Sequence, residues 1–212
     1  MKMKVNFRNF GVVLFLCAIG FVGNVQAGDN FFYLRLEGGE KKVDSEKYQG
    51  TYLIFENNNI EGLSLGSKII TGNDGFIKLQ PYVFKSVYSS WQLGVKYSYD
   101  SFGNEAASPS IRFKGKVWKI FTILDYARDF DLKDGKNNKN DVWLYTSTTN
   151  PKFNLGMEVW YYNFLNGAKY CHVRPIRFSY RWKANFFIMP NFCYLDGVLA
   201  SRSVMVGMDF KF

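Results

Sequence analysis

From about residue 30 onward the chain alternates apolar and polar residues in short runs. Over residues 203–212, Val204, Val206, Met208, Phe210 and Phe212 share one parity, while Ser203, Gly207, Asp209 and Lys211 share the other. In 90–100, Trp91, Leu93, Val95, Tyr97 and Tyr99 oppose Gln92, Gly94, Lys96 and Ser98. In 153–163, Phe153, Leu155, Met157, Val159 and Tyr161 oppose Asn154, Gly156, Glu158 and Trp160. In 60–70, Leu63, Leu65 and Ile69 oppose Gly62, Ser64, Gly66 and Lys68. A period of two is the signature of a strand with one apolar and one polar face. Twelve strands are expected, at 30–38, 50–57, 60–70, 76–87, 90–100, 109–114, 117–128, 141–149, 153–163, 170–182, 185–195 and 203–212. Ten is the nearest alternative, because 50–70 and 109–128 alternate least clearly.

The connections sharpen the picture. Tight turns are expected at Asn57-Asn58-Asn59, Tyr88-Ser89-Ser90, Lys114-Gly115-Lys116, Asn150-Pro151-Lys152 and Lys183-Ala184-Asn185. Longer polar segments fall between them at 40–49, 71–75, 101–108, 130–140, 164–169 and 196–202. Short turns alternating with longer loops are the connectivity of a transmembrane antiparallel β-barrel, with short periplasmic turns and longer extracellular loops. Residues 1–27 read as a cleaved signal peptide: Lys2, Lys4 and Arg8 precede the apolar run Gly11–Val22, and Val25-Gln26-Ala27 has the small residues of a cleavage site. The barrel is then residues 28–212. No stretch reaches the roughly 20 apolar residues of a membrane-spanning helix. A closed barrel needs none, because every backbone group is paired between strands. Gly207 followed by Phe210-Lys211-Phe212 at the terminus resembles the closing-strand signal of bacterial outer-membrane barrels. That signal implies the barrel-assembly machinery as a partner and Gly207, Phe210 and Phe212 as its assembly residues.

Composition and charge say what the interior is for. The apolar face must meet lipid, since a charge at mid-depth there costs about 2–4 kcal/mol. The face rich in glycine, serine and charge therefore lines the lumen, where small residues are expected to leave room for water. Trp91, Trp118, Tyr126, Trp143, Tyr170 and Trp182 are expected to form interfacial girdles. Of 27 Lys and Arg and 18 Asp and Glu, only Lys2, Lys4 and Arg8 fall in the leader, leaving 24 against 18, a balance of +6. Parity sends Arg35, Lys68, Lys78, Lys96, Arg112, Lys114, Arg177, Arg181 and Lys211 into the lumen, against Glu37, Glu56, Asp125, Glu158 and Asp209. Such a surplus concentrates anions and repels cations in a narrow pore.

The densest basic stretch is Arg174-Pro175-Ile176-Arg177-Phe178-Ser179-Tyr180-Arg181. Arg177, Ser179 and Arg181 share a face, and residues two apart on a strand stand about 7 Å apart. Each guanidinium can hold a carboxylate by a two-point fork, which lysine cannot. Pro175 marks a bulge, which leaves the facing of Arg174 open. The arginine strand, the small size and the basic lumen together resemble the oligogalacturonate-specific monomeric porins and their sialic-acid-channel relatives. That resemblance implies a monomer in the Gram-negative outer membrane, whose basic tracks guide acidic oligosaccharides through a narrow pore. The chain departs from the pattern by mixing lysines with arginines and by lacking clean arginine tracks on its two halves.

Other chemistries have less support. His172, the only histidine, reads as an isolated surface histidine with no serine neighbour on its face, so no enzyme is expected. Cys171 and His172 are adjacent on a strand and face opposite ways. Simple hairpin register sets Cys193 opposite Arg174 and not Cys171, unless a bulge shifts it. Asp129-Phe130-Asp131-Leu132-Lys133-Asp134-Gly135 departs by a residue from hand-type calcium spacing and is followed by Lys136 and Lys139, so no metal or other cofactor is expected. A barrel spreads its bases around a lumen and offers no nucleic-acid face. Lysines near the loops suit lipopolysaccharide phosphates. The expectation is a channel for small anionic solutes, acidic oligosaccharides foremost. A neutral nucleoside or sugar channel lined by Phe31, Tyr33, Tyr82 and Trp160 stays open, as does a structural or adhesive barrel plugged by its own ion pairs.

Overall fold

The computed structural model describes residues 31–211, apart from 42–46, 61, 73–74, 134, 136–137, 151, 166 and 182–184. The signal-peptide segment 1–27, Phe212 and Trp182 lie outside the described residues, as do the side chains of Phe210 and Lys211.

The alternating runs become twelve antiparallel strands: β1 (Phe31–Lys41), β2 (Lys47–Ile60), β3 (Leu63–Gly72), β4 (Ile77–Tyr88), β5 (Trp91–Asp100), β6 (Glu105–Val117), β7 (Ile120–Asp131), β8 (Lys139–Thr148), β9 (Phe153–Phe164), β10 (Lys169–Arg181), β11 (Asn185–Leu195) and β12 (Val198–Lys211). Each pairs with its neighbours in sequence, and β1 pairs with β12 from Phe31 opposite Lys211 to Lys41 opposite Ser201. The sheet is therefore a closed barrel with no free edge, which is what a lipid environment demands of strands.

Facing follows the alternation. Leu36, Leu93, Val95, Leu155, Ile188 and Val204 are each about half exposed on the outer surface. Inward neighbours such as Arg35, Ser98, Asn154, Glu158 and Ser203 are buried. The apolar outer band and polar interior are the inverse of a soluble protein and suit a barrel set in a bilayer.

Several connections differ from those expected. β2 runs through Asn57, Asn58 and Asn59 to Ile60, and the turn falls at Gly62, which takes φ 71°. β6 runs through Lys114-Gly115-Lys116 to Val117, and the turn is made by Trp118 (φ 58°) and Lys119. In both places neighbouring-strand pairing outweighs the local turn preference of Asn and Gly. Residues 196–202 are not a long loop: Asp196 (φ 49°) and Gly197 (φ 84°) make a two-residue turn, and β12 begins at Val198. Two successive positive φ values match the twist of a tight hairpin, and Asp-Gly suits them.

Inward-facing glycines do not leave water-sized gaps. A side chain at Gly66 would collide with the Tyr82 ring, at Gly94 with Phe84, and at Gly207 with Phe187. In each case ring atoms occupy the space above a glycine of the adjacent strand, so absent side chains on one strand make room for large ones on the next.

Candidate functional site: the charged interior

Of the sequence-derived basic set, Arg35, Arg112 and Arg177 are buried inside the barrel. Lys68, Lys78, Lys96 and Lys114 also face inward. Arg181 shares their parity but is exposed at the end of β10, so it belongs to the rim. Lys211 pairs with Phe31 through the backbone, and its side chain is outside the description.

A bulge in β10 does what Pro175 hinted at. Arg174 lies opposite Glu158 and Arg177 opposite Gly156, so three steps on β10 match two on β9. The extra residue puts Pro175 and Ile176 on the outside and turns both Arg174 and Arg177 inward. Arg174 is only 1% exposed.

The interior charges form two clusters. In the first, Arg174 Nη1 is 2.8 Å from Glu158 Oε1 and Arg35 Nη1 is 3.9 Å from the same oxygen. Trp143 Nε1 donates to that oxygen at 2.9 Å. The Arg35 guanidinium lies 3.6 Å from the centre of the Tyr52 ring. The Lys68 ammonium lies 3.8 Å from the centre of the Trp160 ring. β3 and β9 are six strands apart in either direction around the barrel, so this last contact crosses the lumen. Next to this cluster, Arg177 donates to Asp209 at 2.6 Å and to the Tyr145 hydroxyl, and stacks on Phe187 at 4.1 Å.

The second cluster joins β2 to β4–β7. Arg112 donates to Asp125 Oδ2 from Nε at 3.0 Å and Nη2 at 2.9 Å, a two-point contact. Lys96 donates to Asp125 Oδ1 at 2.8 Å. Glu56 accepts from Lys114 at 2.6 Å and from Tyr82 at 3.0 Å, with Arg112 Nη1 at 3.4 Å.

Four readings of the sequence are corrected by this geometry. Trp143 and Tyr170 are not girdle residues: Trp143 reaches Glu158, and Tyr170 sits opposite the inward Tyr162. His172 is not a surface histidine but packs edge-on against Tyr162, with Nε2 3.8 Å from Cys193 Sγ. The bulge brings Cys193 opposite His172, while Cys171 faces the other way opposite Tyr194, and both thiols are free. The cation surplus is also smaller than parity suggested. Asp100, Asp129 and Asp141 face inward as well, near the strand ends, and are joined among the described residues by only Lys139 and Arg174. The acids were missed because they sit at, or one residue beyond, the ends of the strands expected at 90–100, 117–128 and 141–149, where facing is least defined. Arg174 was left undecided because a bulge breaks the parity rule.

The aromatic residues considered as sugar platforms are largely engaged with one another. Tyr33 stacks on Phe187 at 5.3 Å, Tyr82 crosses Phe84 at 5.8 Å, and Trp160 contacts Tyr52, Trp143 and Tyr162 edge to face.

No protein-family model matches the chain, and no curated protein matches it by sequence. Solved structures match by shape. A KdgM porin in complex with disordered oligogalacturonate superposes with a TM-score of 0.63 at 14% identity, covering 86% of this chain and 99% of that one. The NanC porin gives 0.63 at 15% identity, covering 84% and 100%. An outer membrane channel from Pseudomonas putida gives 0.62 at 8% identity, covering 89% and 97%. At such identities the likeness is one of fold: the chain has the twelve-stranded barrel of small outer-membrane porins.

Proposed function

We propose that this barrel is an outer-membrane channel for passive diffusion of small anionic solutes, with acidic oligosaccharides as the foremost class. The observation that carries this reading is the group of buried inward arginines, whose N–H donors exceed the acceptors around them. Arg35 Nε and Nη2, Arg174 Nε and Arg177 Nε have no hydrogen-bond partner among the described residues. Guanidinium donors facing a lumen without acceptors favour oxyanions from solution. The fold shared with a porin solved with oligogalacturonate supports the same class of solute.

The test is the reversal potential of the purified protein in a planar bilayer under a potassium chloride gradient. Anion selectivity is expected. It should weaken as salt rises from about 0.1 to 1 M, because the screening length falls from about 10 to about 3 Å. Cation selectivity would overturn the reading. A second reading, a barrel plugged by its own side chains, is favoured by the Lys68–Trp160 contact across the lumen. Complete absence of current, with or without an acidic oligosaccharide, would select it.

A further inference from the structure

The first cluster is short of negative charge. Arg35, Arg174 and Lys68 converge where Glu158 is the one carboxylate within 4.0 Å of either guanidinium among the described residues. Arg35 and Arg174 are 2% and 1% exposed, so bulk water does not serve them. Even so, Glu158 engages them unevenly. All its described contacts fall on Oε1, with Arg174 at 2.8 Å, Trp143 at 2.9 Å and Arg35 at 3.9 Å. The last distance lies beyond hydrogen-bond reach. Arg35 therefore attends Glu158 electrostatically while resting its face on Tyr52, with Nε and Nη2 uncommitted. Lys68 has no carboxylate within 4.0 Å among the described residues, and its ammonium rests on Trp160 across the lumen. Side chains from β1 and β3 thus meet side chains from β9 and β10 through contacts that a better acceptor would outcompete.

We propose that Glu158 is a tethered competitor for the solute. Its carboxylate occupies the place between Arg35 and Arg174 that a carboxylate on a passing solute takes in transit, and the Lys68–Trp160 contact belongs to the shut state that this exchange opens. The proposal rests on the anion-channel reading and adds to it the residue that sets threshold and selectivity. An entering carboxylate with two free oxygens can take the Arg174 contact that a single Glu158 oxygen holds and reach the uncommitted Nε and Nη2 of Arg35 as well. Glu158 then keeps the Trp143 N–H, so its own carboxylate is not left without a donor. Lys68 is drawn from the aromatic face toward the added charge, because an ammonium gains more from a carboxylate than from a ring.

Glu158→Gln tests this. The amide oxygen can still accept from Trp143, while the competing charge is gone. Single-channel conductance and the anion-to-cation permeability ratio should both rise above wild type. A short oligogalacturonate should block at a concentration roughly tenfold lower, as expected for loss of a charge-assisted competitor. A Glu158→Gln channel that conducts and blocks like an anion-selective wild type overturns the competitor role and leaves the anion-channel reading standing. A wild type without anion selectivity removes both. Should the variant fail to fold, the unaltered protein decides through tryptophan emission. Galacturonate at blocking concentrations should shift it, an equal concentration of galactose should not, and Trp160→Phe, which removes the ring that Lys68 leaves, should remove most of the shift. No shift at concentrations that block the current overturns the proposal.

Discussion

Arg177 and Arg181 lie on the same face of β10, yet they have different surroundings. Arg177 is buried and holds Asp209, which also accepts from Asn185 at 3.0 Å. Arg181 is exposed at the strand end. Arg177→Ser strips the partly buried Asp209 of its counter-charge, a change that costs about 3 kcal/mol at a fully buried pair with no other donor. With Asn185 still bonded, a loss of about 2 kcal/mol is expected in urea-driven unfolding, together with reduced anion selectivity. Arg181→Ser should leave stability unchanged and lower selectivity slightly, through the rim potential alone. Equal effects of the two variants on stability would show that the burial of Arg177 contributes little.

At the scale of the element, β10 is where one extra residue decides which charges face the lumen. Because the bulge absorbs Pro175 and Ile176, Arg174 and Arg177 both reach the interior although they stand three positions apart, on opposite parity. The same shift sets Cys193 opposite His172 and leaves Cys171 on the outer face of the hairpin. Two cysteines on opposite faces of paired strands cannot bring their Cβ atoms to the roughly 4 Å of a disulfide. The unfolded protein should therefore migrate identically on gels with and without reductant, even after isolation from an oxidising compartment. A faster non-reduced band would mean that the register between β10 and β11 differs from the one described.

For the molecule as a whole, the pairing of β1 with β12 closes the sheet and leaves no free edge. Eleven residue pairs make that seam, from Phe31 with Lys211 to Lys41 with Ser201. Lys211, the residue before Phe212 in sequence, is the last of the β12 partners in that seam. Phe212→Ala should lower the amount of barrel in the outer membrane while leaving the conductance of assembled channels as in wild type. Unchanged membrane levels would sink the assigned role of the closing strand in assembly. The clusters that span the lumen make the interior a cross-brace as well as a candidate path. Each ion pair within them both stiffens the wall and withholds a base from solute.

The sequence alone determined the strand count, the antiparallel order and the facing of most strands, because alternation of period two is a local property that a lipid exterior makes strict. It also determined most of the inward basic set, since Arg35, Lys68, Lys96, Arg112 and Arg177 follow that parity. Strand ends were less legible, as at Asn57-Asn58-Asn59 and Lys114-Gly115-Lys116, where pairing with a neighbour carries the strand through residues that favour turns. Only the tertiary structure decided which charges meet. Glu158 with Arg35, and Lys68 with Trp160, come from strands far apart in sequence, and a closed barrel brings them together in a way no local pattern records. It alone turned Arg174 inward as well, because a bulge suspends the parity from which facing is read.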